Sequence, residues 1–423
     1  MASPTSTFRS WIGLLTCCVI LIELLTFRRE EGKFLFVSYP SFHRPKLKNI
    51  FRYEAQLATA ERIQKLPAKQ DNRTSFSSGT RSHKGVCIIQ VLYWNGPKML
   101  SLPDGKYYCP AVNCEVKFTT KASYDALSTS HVVILHHTGN WNIPQLERYR
   151  PKGQMWIYMS RESPPHSRHG RVPNVFNWTM TYRSDSDFPI SYGIYKDYDE
   201  ESQRPSDLQS GSKNWANGKT KLAAWISSNC KGPSWPRALF VKNLSRFMDV
   251  DMFGRCGNKK CPEGESCFEL LRPYKFYLAF ENSRCSDYIT EKMWRNSFIY
   301  NVVPVVYGTG KKDYEKLAPP NSFIHVSDFP NISSLVAYIK LLNKNDSMYN
   351  KYFEWKYFSY IDQQRENRVI TKETLCSITG KLRDCTLWSR NSHSNCSNFH
   401  TSLDMNKMWF DTCHESSPLP LPV

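Results

Sequence analysis

Four residues within twelve positions of this chain could do chemistry together: Glu281 and Asn282 end an apolar run, and Glu291 and Lys292 follow a polar crossing. A carboxylate can order hydroxyls or accept a proton, an amide can donate and accept, and a lysine can balance the charge of a diphosphate. The elements that must hold them are written in 274–308, YKFYLAFENSRCSDYITEKMWRNSFIYNVVPVVYG. This reads as a buried strand at 274–280, a crossing, a helix near 288–300 and a second buried strand, one βαβ unit. Ligands of open α/β sheets bind at the carboxyl ends of strands, which places Glu281 and Asn282 in a crevice. Asp287 is expected to cap the helix. Glu291 and Lys292 then fall in its first turn, where free N–H groups and the positive dipole end favour phosphate.

The wording of the segment is specific. FENS followed by DYITEK resembles the signature of the alpha-1,3-fucosyltransferases, enzymes that move L-fucose from GDP-fucose to N-acetylglucosamine. A second block, Glu162, Ser163 and Pro164 running on to Phe176–Thr179 and Thr181–Asp187, is similar to that family's acceptor-side block. A third, Ala224 to Asn229 with Arg237 downstream, is similar to the strand and helix that open its donor lobe. With Phe323, Ile324, His325 and Val326, the resemblance covers residues 85–360.

What the resemblance implies is concrete. The fold is α/β, two Rossmann-like lobes facing a cleft in the GT-B arrangement. The donor is β-linked and the product α-linked, so a single displacement is implied, with a base for the acceptor hydroxyl and cations for the leaving diphosphate. Glu162 matches the glutamate of the family's ESP motif and follows a strand of the lobe opposite the donor, so it is the expected base. Ser228, Asn229, Arg237, Tyr288, Glu291 and Lys292 match donor-binding positions. Arg237 supplies a fork for phosphate oxygens and Lys292 a point charge. Glu291 is expected on a ribose or fucose hydroxyl. Glu281 either shares that task or orients the others from behind, with Asn282 beside it. The implied chemistry has no obligatory metal, manganese being a stimulant at most. Asp185-Ser186-Asp187 matches the D-x-D manganese pattern of another glycosyltransferase fold, but Asp197 with Asp199 and Asp249 with Asp251 match equally well. Arg183 paired with Asp185 or Asp187 would instead fix a loop near the acceptor.

Residues 11–27 are apolar apart from Glu23 and the threonines, and are flanked by Arg9 and by Arg28 and Arg29. They are read as a retained membrane anchor rather than a cleaved signal, because no small-residue cleavage site follows. Charge would favour the wrong orientation, so the direction comes from sequons and cysteines. Asn72, Asn177, Asn243, Asn331, Asn345 and Asn395 each open an N-x-S/T pattern, and twelve of the fourteen cysteines lie beyond residue 27. The spacings around Cys109, Cys114, Cys256, Cys261 and Cys267 lack the paired arrangement and histidines of a zinc site, so disulfides in an oxidising lumen are expected. The chain reads as a single-pass type II protein of the Golgi membrane, where the family it resembles resides.

The formal charge of +18 raises the possibility of a nucleic-acid partner. Its distribution speaks against one, since 28–84 alone carries thirteen Lys or Arg against five Asp or Glu, and no nucleic-acid-binding motif accompanies it. The organisation expected is a cytoplasmic tail at 1–10, the anchor at 11–27, a stem at 28–84, an acceptor-side lobe at 85–215, a donor lobe at 216–375 and a cysteine-containing extension at 376–423. Strands are expected at 85–92, 131–137, 154–160, 221–227 and 274–280, a helix at 236–247, and a polar linker at 196–219. Cys376 and Cys385, with eight residues between them, and the cluster at 256–267 look more like invertebrate members than vertebrate Lewis-type ones. The acceptor, the innermost N-acetylglucosamine of an N-glycan or a terminal N-acetyllactosamine, is not readable. Two other readings compete: a glycan-binding homologue without catalysis, and another nucleotide-sugar transferase on the same architecture.

Overall fold

The strands that are buried on both faces form two separate sheets. In the computed structural model, residues 86–169, 172–199, 204–209, 211, 213–260, 266–362, 369–388, 402–414 and 421–422 are described. The expected tail, anchor and stem, Asn72, Asn395, Cys261 and Cys396 lie outside them. Among the described residues no helix is long and apolar enough to cross a membrane.

The first sheet contains β1 (Cys87–Trp94), β2 (Gly105–Cys109), β3 (Cys114–Thr119), β4 (Val132–His136), β5 (Met155–Ser160) and β6 (Trp178–Thr181). Their spatial order is β2-β3-β1-β4-β5-β6. Only the edge pair β2 and β3 is antiparallel. After β7 (Ile194–Asp197) the second sheet is built from β8 (Lys221–Ile226), β9 (Val250–Phe253), β10 (Tyr274–Phe280), β11 (Val303–Tyr307) and β12 (Ile324–His325), all parallel, in the order β12-β11-β10-β8-β9. Every residue of β4, β5, β10 and β11 is buried, as strands covered by helices on both faces must be.

Three expectations are corrected. The linker at 196–219 is not structureless: β7 pairs antiparallel with β13 (Ser359–Asp362), and Ser206–Gln209 is helical. The helix near 288–300 is a short α-turn, Glu291–Met293, that widens into a π-helix over Trp294–Ile299. The boundary at 375 falls inside a helix, Lys372–Trp388, whose Leu375, Ile378 and Leu382 pack into the core of the first sheet with Val369 and Ile370. A disulfide from Cys109 to Cys376 fixes that return. The segment 402–414 also joins the first lobe, with Met405 and Trp409 packed among Leu92, Tyr158 and Phe176.

Candidate functional site

The site is built where the carboxyl ends of the two sheets meet. β10 ends at Phe280, and Glu281 follows fully buried. Its carboxylate accepts from the Thr290 backbone N–H at 2.8 Å and from the Thr290 hydroxyl at 2.8 Å, and pairs with Lys292 at 3.1 Å. The anion at this helix start is therefore the protein's own carboxylate. Asp287 does not cap the helix: it sits in the left-handed region with φ 61, and the helix begins after Thr290. The backbone after β11 closes over the pair. Gly308, at φ 155, has no room for a Cβ, which would lie 2.6 Å from the Glu281 Cβ.

Lys292 donates to Thr290 at 2.7 Å and to Glu291 at 3.0 Å as well as to Glu281. Burial pulls its pKa down, but Glu281 and Glu291 outweigh burial and raise it. Burial pushes the Glu281 carboxyl up, partly offset by Lys292. Burial acts upward on Glu291 too, yet the charge and hydrogen bond of Lys292, with Arg295 further off, hold it down to about 2. Lys292 is already engaged by both Glu281 and Glu291, so a second cation is needed before an anion is attracted.

Arg237 begins the helix Arg237–Leu244 and is buried beneath the strand ends. It donates to the Phe280 carbonyl at 2.8 Å, the Ser227 hydroxyl at 3.0 Å and the Asn229 carbonyl at 3.2 Å, and its Nε has no hydrogen-bond partner among the described residues. Burial lowers its pKa and the Glu281 field raises it. Ser228 and Asn229 are exposed on the loop after β8, which the disulfide Cys230–Cys256 ties to the loop after β9. Asn282 is half-buried, and its carbonyl accepts from Ser234 N–H at 2.7 Å.

Glu162 comes from the other lobe, two residues past β5, and is half-buried. The Tyr288 hydroxyl donates to its Oε2 at 3.1 Å across the lobes. Ser163 donates to Ser283 at 2.7 Å across the same joint. Burial raises the Tyr192 and Tyr288 hydroxyls well above their ordinary value, and the fields of Glu162, Glu281 and Glu291 push both the same way. Tyr288 contacts Glu162, while Glu281 and Glu291 share Lys292. The structure thus brings Glu162, Glu281, Tyr288, Glu291, Lys292 and Arg237 together, with Ser228 and Asn229 on the rim.

The D-x-D carboxylates are engaged separately. Asp185 takes a bidentate contact from Arg183 at 2.8 and 2.5 Å, while Asp187 accepts from Thr179 and pairs with Lys381. Sequence reasoning missed Arg284 and Tyr192, and gave Asp287 a different task. Arg284 lies 5.6 Å from the Tyr307 ring, with its Nε buried and without a hydrogen-bond partner among the described residues. A loop arginine carries no periodic signal, so nothing in the pattern marked it.

Four sequons are now placed. Asn177 and Asn243 are 8% and 5% exposed, and the Asn177 Oδ1 accepts from Arg150 at 2.7 Å and from Trp156 N–H at 2.9 Å. Asn331 and Asn345 are half-buried and cap helices through Oδ1. Which of the six patterns carry glycans is not readable from sequence, and the burial of Asn177 and Asn243 sets these two apart from Asn331 and Asn345.

Residues 216–396 match the family model described as Glycosyltransferase family 10 (fucosyltransferase) C-term, and 88–193 match Fucosyltransferase, N-terminal. Alpha-(1,3)-fucosyltransferase 4 of Bos taurus is 43% identical over 49% of this chain and 51% of its own length. Glycoprotein 3-alpha-L-fucosyltransferase A of Drosophila melanogaster is 36% identical over 63% and 52%. The 4-galactosyl-N-acetylglucosaminide 3-alpha-L-fucosyltransferase FUT6 of Pan troglodytes is 38% identical over 69% and 79%. A solved alpha1,3-fucosyltransferase with GDP aligns with TM-score 0.44 and 18% identity over 73% of this chain and 94% of that one. The chain spans about half the length of the first relatives it matches. Both lobes match in order and a relative is covered over most of its length, so the chain belongs to the glycosyltransferase family 10 fucosyltransferases.

Proposed function

We propose that this chain moves L-fucose from GDP-β-L-fucose to the 3-hydroxyl of an N-acetylglucosamine residue in a glycoprotein glycan, with inversion to the α-linkage. Family membership supports the class of reaction. One observation carries the mechanism: Glu162 of the acceptor-side lobe is hydrogen-bonded to Tyr288 of the donor-lobe motif. A carboxylate is thereby held beside the Glu281, Glu291 and Lys292 group. On this reading the fold is GT-B, its two lobes meeting at their carboxyl ends.

Glu162 takes the proton of the acceptor hydroxyl as that oxygen attacks the anomeric carbon of fucose from the face opposite GDP. The bond from that carbon to the β-phosphate oxygen breaks with its electron pair going to GDP. The products are the α-fucoside, GDP and the protonated Glu162, which returns its proton to water. Arg237 and Lys292 balance the growing diphosphate charge, with Arg284 at the edge. Glu291 orients a sugar hydroxyl, while Glu281, buried behind Lys292, orients the lysine. Asn282 lies beside them, and Ser228 and Asn229 face the nucleotide. No metal is required in this scheme, and manganese acts at most as a stimulant.

Residues 11–27 are proposed as the anchor of a type II Golgi membrane protein with its catalytic part in the lumen. The disulfides Cys87–Cys114, Cys109–Cys376, Cys230–Cys256 and Cys285–Cys413 support an oxidising compartment. The test is to incubate the full chain with GDP-fucose and a panel of N-acetylglucosamine acceptors, including N-glycans and N-acetyllactosamine, and to assign the linkage by NMR. Binding of glycans without GDP release would favour the non-catalytic homologue. Transfer from a different nucleotide sugar would overturn the donor.

A further inference from the structure

The loop between β10 and the Glu291–Met293 turn is fastened from both lobes. Asp287 accepts from the Ser184 N–H at 2.9 Å and hydroxyl at 2.5 Å, and pairs with Lys316 at 3.3 Å. Cys285 is disulfide-bonded to Cys413. Ser286 N–H donates to the Thr412 carbonyl at 2.9 Å and His414 N–H to the Arg284 carbonyl at 2.8 Å. The far end of segment 402–414 is docked on the first lobe, with Leu403 N–H on the Phe176 carbonyl at 2.7 Å and Met405 N–H on Asn174 at 2.9 Å.

Side chains continue the connection. Trp409 lies 5.8 Å from Tyr158 and 5.3 Å from Tyr182, and Tyr182 lies 4.8 Å from Tyr288. Tyr192 meets the Tyr288 ring edge-on at 6.4 Å. The Tyr288 ring is thus confined on several sides and is 1% exposed, while its hydroxyl reaches the half-buried Glu162.

We propose that Tyr288 positions the Glu162 carboxylate for proton abstraction, and that segment 402–414, through Trp409 and the Cys285–Cys413 disulfide, holds Tyr288 in that pose. This rests on the reading of Glu162 as the base. A carboxylate on a loop has several open rotamers, and a base that samples them loses most of the benefit of proximity. A phenol locked in a core selects one of them. Burial keeps that phenol protonated, so it remains a donor at any working pH. Tyr288 acts here through Glu162 rather than on GDP, a different task from the donor contact that the DYITEK motif implies.

The test uses the full chain with GDP-fucose and the best acceptor. Tyr288→Phe keeps the ring and removes the hydroxyl. Its kcat is expected to fall about tenfold to a hundredfold, the range of a hydrogen bond to a charged group, with GDP affinity and donor KM within about twofold of the parent. Adding Tyr288→Phe to Glu162→Gln is expected to cost almost nothing further, because both act on one proton transfer. Cys413→Ala and, should that variant not fold, Trp409→Leu are expected to lower kcat with the same preserved GDP affinity. Parent-like kcat in Tyr288→Phe, or losses that multiply in the double variant, would overturn the proposal while leaving Glu162 as base. Parent-like kcat in Glu162→Gln overturns both. A loss of GDP affinity matching the loss of kcat in Tyr288→Phe assigns the tyrosine to the donor instead.

Discussion

The Glu281 carboxylate and the Lys292 ammonium lie 3.1 Å apart, with side chains 1% and 14% exposed. Neither charge has bulk water to fall back on. Lys292→Ala is therefore expected to leave an uncompensated buried carboxylate and to cost about 3–5 kcal/mol of stability. Lys292→Met with Glu281→Gln should recover much of that loss while GDP affinity stays low. Urea unfolding and GDP titration of the single and double variants measure the two effects. A single variant as stable as the parent would show that the pair is not buried as described.

Arg237 serves the fold as well as the diphosphate, whereas Arg284 isolates the binding contribution. The fork of Arg237 is committed to Phe280, Ser227 and Asn229, so Arg237→Ala strips partners from buried groups and is expected to cost about 1–3 kcal/mol of stability for each one left unsatisfied. Arg284→Ala should leave the melting temperature nearly unchanged and weaken GDP binding about 10–150-fold, the range of a charge-assisted hydrogen bond. Titrating GDP into Arg284→Ala decides the matter, and unchanged affinity would remove Arg284 from the phosphate site.

Sequons that look alike in sequence differ in the fold. Glycopeptide mass spectrometry of the full chain expressed in a glycosylating cell is expected to find Asn177 and Asn243 bare, since each is buried. Asn177→Gln should destabilise the first lobe, because its Oδ1 serves Arg150 and Trp156. A glycan on Asn177 in folded protein would contradict its packing.

The βαβ unit at 274–308 was legible because parallel strands buried on both faces leave continuous apolar runs, and the charges that interrupt them mark strand ends. That is why Glu281, Glu291 and Lys292 group together in the sequence itself. The return of 369–388 to the first sheet was not legible, since it depends on the Cys109–Cys376 pairing, which spacing alone cannot supply. Asp287 was misread for a related reason. A capping aspartate and one held at φ 61 by Ser184 and Lys316 look the same in sequence, and the partners that decide between them lie 103 and 29 residues away. The contact between Tyr288 and Glu162 spans 126 residues and two lobes, and no local pattern reaches that far.

Acid should test Glu291. Its carboxyl is held down to about 2 in the folded chain against an ordinary 4.5, so the unfolded state binds the proton first as pH falls. The stability it contributes is complete above about 4.5 and drains away toward about 2. Glu281 runs the other way, since its raised pKa makes ionisation a cost as pH rises past its ordinary value. Glu291→Gln is expected to flatten the acid limb of a stability profile between pH 4.5 and 2. An acid limb as steep as the parent's would mean the Lys292 contact does not hold Glu291 ionised.

The decisive variant is Glu162→Gln, which keeps the size of the side chain and an oxygen for the Tyr288 hydroxyl but cannot take the acceptor's proton. If Glu162 is the base, kcat is expected to fall about two to four powers of ten, with GDP-fucose affinity barely changed, because the residue belongs to the lobe opposite the Lys292 group. A residue needed for folding would lower melting temperature and donor affinity together. One that only seats the acceptor would raise acceptor KM with kcat nearly intact. Measuring kcat, both KM values and the melting temperature on this one protein separates the three roles. Near-normal kcat in stably folded Glu162→Gln would remove it as the base. Asp185 would then be the next candidate, because Glu281 is locked behind Lys292 and Thr290 while Asp185 remains half-exposed beside Arg183.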